Sequence, residues 1–408
     1  MTASAGNLIE WYDFFIYAFM ALYFAAEFFP EGDRTAQLLN VAGIYAAGFL
    51  IRPLGGWYFG RFADRHGRRA GLVFSVGLMG VGALAIALLP THAQIGAWAP
   101  LLLLLCRLLQ GFSCGGQYGA AATYLSEIAT DERRGFYSSF QFVTLIGGQL
   151  FALLVLIVLQ QTLDEQTIRD WAWRIPFALG AVLTMCILLL RERMHETVDT
   201  TKLHVDAGRM VGLFKHPKSL GIVISLTAGG AVCIYTFTTY MQKFLVNTAG
   251  LDITTVSFIM TAAMIGFMLF QPLIGALSDK IGRRRCLLVF TGLMTVTAVP
   301  LLKGLSSADS AFVAFALVLS ALGILSFYTS ISGLFKAELF PPHVRALGVG
   351  FAHSISAAVF GGSTEYIALL LKSWGYESAF FWYVAAVCGV SFLTALMMRE
   401  PRRDNMLE

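Results

Sequence analysis

Two ten-residue stretches decide the fold: GRFADRHGRR at Gly60–Arg69 and GALSDKIGRR at Gly275–Arg284, which lie 215 residues apart and share six identities or near-identities. Each follows the second of a series of long apolar runs, so the chain reads as one plan used twice. A weaker echo pairs Glu127, Arg133 and Gly135 with Glu338, Arg345 and Gly348, after the fourth run of each half. Working outward, apolar runs of membrane-spanning length fall near residues 4–29, 38–60, 70–90, 97–127, 136–161, 174–190, 219–246, 253–277, 286–305, 309–335, 346–372 and 378–399. The expected fold is therefore an all-α membrane protein of twelve transmembrane helices in two pseudo-symmetric six-helix bundles. Composition agrees: of 408 residues 57% are hydrophobic and 13% charged, at a mean hydropathy of +0.69, which leaves too little polar surface to enclose a water-soluble globule.

The one long connection, residues 191–218, is polar and of mixed charge, and it divides an N-terminal bundle (1–190) from a C-terminal bundle (219–408). Lys and Arg number 21 on the side holding both termini and the even-numbered loops against 6 on the other, which predicts cytoplasmic termini. The first run carries Glu10 and Asp13 and reads as a retained span, not a removed signal peptide. The net charge of +4 is scattered over short loops, which argues against a nucleic-acid partner, and six cysteines lie in or beside apolar runs without metal or disulfide spacing. Glycine pairs such as Gly55-Gly56 and Gly115-Gly116 follow no strand and precede no phosphate-cradling Lys-Ser/Thr, so an ATP-driven pump is not expected; they read as helix packing. No His-Glu-x-x-His and no paired His and Asp motif points to an enzyme, and neither a metal nor a cofactor is expected.

The segments GNLIEWYDFFIY from Gly6, RPLGGWYFGRFADRHGRR from Arg52, RLLQGFSCGGQYG from Arg107 and WAWRIPFALG from Trp171 resemble the metabolite:proton symporters of the major facilitator superfamily. A closer similarity, to members of that family that carry 2-oxoglutarate, is borne by SSFQFVTLIGGQL from Ser138, YTFTTYMQKFLVNTAG from Tyr235, SFYTSISGLFKAELFPPHVRALGVG from Ser326 and FGGSTEYIALLLKSWG from Phe360. The resemblance implies a monomeric carrier in a bacterial inner membrane. It would import a small organic anion, 2-oxoglutarate foremost, with protons by alternating access. Symport or exchange of citrate, shikimate or a zwitterionic osmolyte is the alternative.

Charges within a bilayer are costly unless paired or set against a cavity, so the intramembrane set is short. Glu10, Asp13 and Tyr17 form one polar stripe on the first helix with Asn7, and either carboxylate reads as a proton carrier or as the partner of a neighbouring arginine. Asp13 is the preferred coupling group, with Glu10 and Glu365 next. Arg107, close to mid-membrane, shares a face with Gln110 and Tyr118 and needs an anion, either the substrate or an acidic side chain of the first helix. Arg52 reads as a substrate clamp in preference to a helix tie, because no acid lies within two turns on its own helix. Lys243, with Tyr235 on the same helix, and Lys372 are candidates for a second carboxylate or for snorkelling to headgroups; Glu365 lies on the face of Lys372. His353 reads either as titratable or as a satisfied core residue. For gating, the resemblance sets Asp64, with Arg65 and Arg68, against the start of the eleventh helix. Asp279 and Arg283 take the matching place in the other half, and Glu127, Arg133, Glu338 and Arg345 support them.

Overall fold

The computed structural model describes residues 2–66, 68–115, 132–191, 213–341 and 344–401, and the side chains of all these except 2–7, 60–66, 68–72, 190, 191 and 346. Twelve spans are present among them: α1 (Thr2–Phe28), α2 (Arg34–Phe59, running on to His66), α3 (Arg68–Leu88), α4 (Trp98–Cys114), α5 (Arg134–Thr162), α6 (Arg174–Arg191), α7 (Pro217–Asn247), α8 (Ile253–Ile281), α9 (Arg283–Ser306), α10 (Ala311–Glu338), α11 (Leu347–Ser373) and α12 (Glu377–Met397). Nine of these are long and apolar enough to cross a bilayer on their own described residues, and α6 joins them with the bent segment Glu165–Ala172 that precedes it, at 54°. Among the described residues there is no β-strand. The linker 191–218 lies mostly outside them.

The second span of each half begins on the same device. Asp33 accepts a hydrogen bond from the Ala36 N–H at 2.8 Å, and Asp252 from Thr254 and Thr255, each satisfying orphan donors of a first turn. Within the N-terminal half α1 packs on α2, α5 and α6, and α4 packs on α2 and α3. In the C-terminal half α7 packs on α12 and α11, and α9 on α10 and α12. Between them, α5 lies along α8 and α2 along α11. Small residues set the closest approach. A Cβ on Gly111 of α4 would sit 1.9 Å from the Gly48 carbonyl oxygen of α2, and one on Gly55 would sit 1.8 Å from that of Phe112, so only hydrogen fits at either crossing.

Four spans are not regular α-helices. Span α2 breaks at Ile51, just before Arg52-Pro53, and α10 breaks at Ser330 and Ile331 before its last helix, Ser332–Glu338. Widened π-turns occupy Tyr235–Tyr240 in α7 and Ala357–Gly361 in α11. Irregular backbone at membrane depth is tolerated where protein buries it or where it lines a cavity.

One expectation is corrected here. Lys336, counted above among loop cations, belongs to the terminal helix of α10 and is wholly buried. The charge bias that predicts orientation survives its removal.

Candidate functional site

The polar stripe of α1 meets α4 in a buried chain of three residues, Asp13 with Gln110 and Arg107. The Asp13 carboxylate accepts from the Gln110 amide nitrogen at 2.6 Å, and the Gln110 carbonyl oxygen accepts from the Arg107 guanidinium at 2.7 Å. Asp13 and Arg107 are thus joined through an amide and not as a direct pair. Space for the chain comes from glycines on the neighbouring helices: a Cβ at Gly82 would lie 2.6 Å from the Gln110 Cγ, and one at Gly180 would lie 2.9 Å from the Asp13 Oδ1. The Arg107 guanidinium lies over the Tyr17 ring at 4.2 Å, with Tyr45 and Phe14 beyond. Glu10 is buried one turn before Asp13.

Arg52, at the break in α2, stacks on Phe49 at 3.9 Å and Phe14 at 4.3 Å. The rings of Phe49 and Tyr235 meet edge to face at 5.1 Å, which closes the space between α2 and the π-turn of α7.

On the C-terminal side the lysines part company. Lys243 forms a buried ion pair with Glu365, the two side chains being 2% and 3% exposed. Glu365 therefore serves Lys243 and not Lys372, the pairing that sequence position had suggested. Lys372 lies at the end of α11, where it donates to the Asn247 carbonyl at 2.9 Å and to the Thr248 hydroxyl, and meets Glu377 at 3.4 Å. Lys336 was not singled out in the sequence, although Tyr328, Ser332 and Lys336 recur at four-residue spacing and so mark one helical face. Its ammonium donates to the Ser332 hydroxyl at 2.9 Å and lies 3.1 Å from Nδ1 of His353 in α11.

A cavity lies between the halves. Thr227, Tyr235, Tyr328, Ser332 and His353 make its polar wall, all from the C-terminal side, and Trp11, Phe15, Phe142 and Leu145 face them from α1 and α5. Three of the four irregular spans, α7, α10 and α11, line it. Water can reach about 20 Å³ of it, enough for roughly one molecule.

Hydrogen bonds join the two halves toward both ends of the described helices. At one end the Asp279 carboxylate of α8 accepts from the Gly135 and Phe136 N–H groups at 2.8 and 3.0 Å, capping the start of α5 in the other half. Arg283 holds that carboxylate at 3.0 Å and lies 3.6 Å from Glu338, while Arg345 donates to the Phe340 carbonyl at 3.3 Å. Arg133 is exposed beside this cluster. At the far end Gln160 of α5 reaches Ser257 of α8 at 3.1 Å, and Asn247 reaches Thr35 at 3.4 Å. Tyr118 and Glu127, and the side chains of Asp64, Arg65 and Arg68, lie outside what is described.

Two family descriptions match the chain, "Sugar (and other) transporter" over residues 1–199 and "Major Facilitator Superfamily" over residues 226–407. The chain belongs to the major facilitator superfamily. It is 57% identical to the alpha-ketoglutarate permease of Escherichia coli K12 over 99% of its own length and 94% of that protein's, and 35% identical to a citrate-proton symporter of Klebsiella pneumoniae over 96% and 89%. Among solved structures the xylose transporter XylE from E. coli, in a partially occluded inward-open conformation, superposes with a TM-score of 0.76 over 97% of this chain and 95% of that one. At 17% identity that likeness speaks for the fold alone.

Proposed function

We propose that this protein imports 2-oxoglutarate together with protons across a bacterial inner membrane, binding it between its two six-helix halves as these rock about the cavity. The observation that carries the reading is the burial of Arg52 and Arg107 against an aromatic wall at the junction of the halves, in a chain so close in sequence to a permease for that dianion. A guanidinium presents a planar fork that matches a carboxylate through two hydrogen bonds, and in a low-dielectric site such a match is strong. Arg52 takes one carboxylate of the substrate. Arg107 either shares it or releases Gln110 and, through it, Asp13.

The chain Asp13–Gln110–Arg107 supplies a route for coupling. Substrate that draws Arg107 away leaves Gln110 free to turn, and Asp13 loses the donor that favours its charged form; a proton then joins it. Anion and proton load together by this linkage. Asp279 with Arg283, and Asp64 in the matching position, act as the inner gate, and the termini face the cytoplasm. The protein works as a monomer embedded in lipid.

The test is uptake of labelled 2-oxoglutarate into proteoliposomes under an imposed pH gradient, with citrate, shikimate and betaine as competitors. Accumulation that collapses with a proton ionophore, and competes poorly with the other three, is expected. Accumulation of citrate or betaine in its place would reassign the substrate.

A further inference from the structure

We infer that the Thr227 hydroxyl, in α7, donates to the keto oxygen of the substrate and so sets the preference for a 2-oxo diacid over the diacid that lacks that oxygen. This rests on the 2-oxoglutarate reading above. Thr227 lines the cavity between the halves, is 1% exposed, and its Oγ1 makes no hydrogen bond. A buried hydroxyl so placed is costly unless a polar group entering the cavity completes it.

Hydroxyls elsewhere in these helices behave differently. A threonine or serine inside a helix can give its proton to the carbonyl one turn back. Thr238 of the same span donates to Ile234 at 2.7 Å, Thr291 to Leu287 at 2.7 Å, Thr295 to Thr291 at 2.7 Å and Ser326 to Leu322 at 2.8 Å. Thr184 and Thr236 also stand without a partner, but neither borders this cavity. Thr227 combines an unused hydroxyl with a place on the cavity wall. The Tyr328 hydroxyl stands close by, outside hydrogen-bonding geometry. A Cβ at Gly230 would sit 2.1 Å from the Tyr328 ring, and Phe290 packs on that ring at 5.3 Å, so the ring is held against the α7 backbone.

The chemistry of one hydroxyl selects the group it can serve. A carboxylate leaving water needs a cation or several donors, a need that the arginines of the N-terminal half are suited to meet. A ketone is uncharged, and a single neutral O–H satisfies its oxygen. The cavity adjoins the arginine site, because Tyr235 borders it and meets edge to face the Phe49 ring on which Arg52 stacks. Phe15, Phe142 and Leu145 face the polar wall from the other half and suit the methylene carbons. The space as it stands admits about one water, so substrate enters as the halves part, and its keto oxygen then accepts from Thr227.

The experiment compares 2-oxoglutarate with glutarate, which keeps both carboxylates and the chain length and lacks only the keto oxygen. In wild-type proteoliposomes glutarate should inhibit uptake of labelled 2-oxoglutarate about three- to tenfold less well than unlabelled 2-oxoglutarate does, the worth of one neutral hydrogen bond. In Thr227→Val, which keeps the branched shape and removes the hydroxyl, the KM for 2-oxoglutarate should rise by about that factor. Inhibition by glutarate should stay within about twofold, so that the two compounds converge. Thr227→Ser should keep the preference, and Thr227→Ala carries the same test if Thr227→Val fails to reach the membrane. A preference for 2-oxoglutarate that survives loss of the hydroxyl would overturn the inference. So would equal losses for both compounds, which would mean a packing role, or a wild-type protein that does not distinguish them. A wild-type protein that takes up no 2-oxoglutarate would instead remove the substrate reading on which this one rests.

Discussion

Gln110 stands between Asp13 and Arg107 in an orientation that its partners dictate. A guanidinium only donates and a carboxylate accepts, so the amide oxygen turns to Arg107 and the amide nitrogen to Asp13. Asp13→Asn should still exchange 2-oxoglutarate between two pools of equal pH, because the binding cations are untouched, but should fail to concentrate it under a pH gradient. Counterflow and gradient-driven uptake on one preparation separate the two, and retained accumulation would pass the proton to Glu10 or Glu365. The pair Lys243–Glu365 makes a different case. Glu365→Gln leaves an ammonium buried without its counter-charge and should cost about 3–5 kcal/mol, whereas the double variant Lys243→Met/Glu365→Leu should restore most of that. Thermal midpoints in detergent for the two variants decide it; equal losses in both would mean that the charges matter only as volume.

At the level of the helix, contact geometry divides what sequence can say from what it cannot. Hydropathy and the repeat at Gly60 and Gly275 placed eleven spans and the start of the fourth within a few residues, the fourth's predicted end lying outside the described residues, because a bilayer demands length and apolarity that a linear pattern records directly. The break at Ser330 and the π-turns at Tyr235 and Ala357 left no such mark, whereas the break at Ile51 is signalled by Pro53, which has no N–H to give to the preceding turn. Tyr235–Tyr240, Ala357–Gly361 and the helix Ser332–Glu338 after the Ser330 break each pack against the facing half, on partners far away in sequence. The same limit explains the site. Arg52, Arg107 and Asp13 stood out as rare charges in apolar runs, but Lys336 sat at a run's edge and looked like a loop residue, and Glu365 was matched to the lysine nearest in sequence instead of the one nearest in space. Where helices touch through backbone, the prediction is sharper. Gly111→Val should abolish folded protein, since even a Cβ would overlap the Gly48 carbonyl at 1.9 Å, while Gly221→Val, whose position is open, should express normally. Size-exclusion profiles of the two variants test this; a monodisperse Gly111→Val would show that α2 and α4 can part.

Over the whole molecule, the halves meet along α5 and α8 and along α2 and α11, and hydrogen bonds cross between them toward both ends. Asp279 meets the positive end of α5 and withdraws two backbone donors from water, an arrangement that must be undone each time this end opens. Asp279→Asn keeps an acceptor but loses the charge, and should shift the balance toward the state open at this end by about tenfold, or roughly 1–2 kcal/mol. Distances between spectroscopic labels on the ends of α5 and α8 report that shift, and an unchanged distribution would deny the carboxylate a part in closure.

The near-empty space between the halves has a bearing on bioenergetics. With room for about one water between halves that are tied to each other toward both ends, a carrier that resets without cargo has little to convey across the membrane, neither a file of solvent nor a hydrated ion. Leak of this kind would drain the proton-motive force at rest and cap the concentration ratio that uptake can sustain. Liposomes holding the protein without substrate should therefore shrink under osmotic shock at the rate of bare lipid, and keep an imposed pH difference as long. The steepness of the nutrient gradient a cell can hold is then limited by the driving force itself, and not by slippage through the machine that spends it.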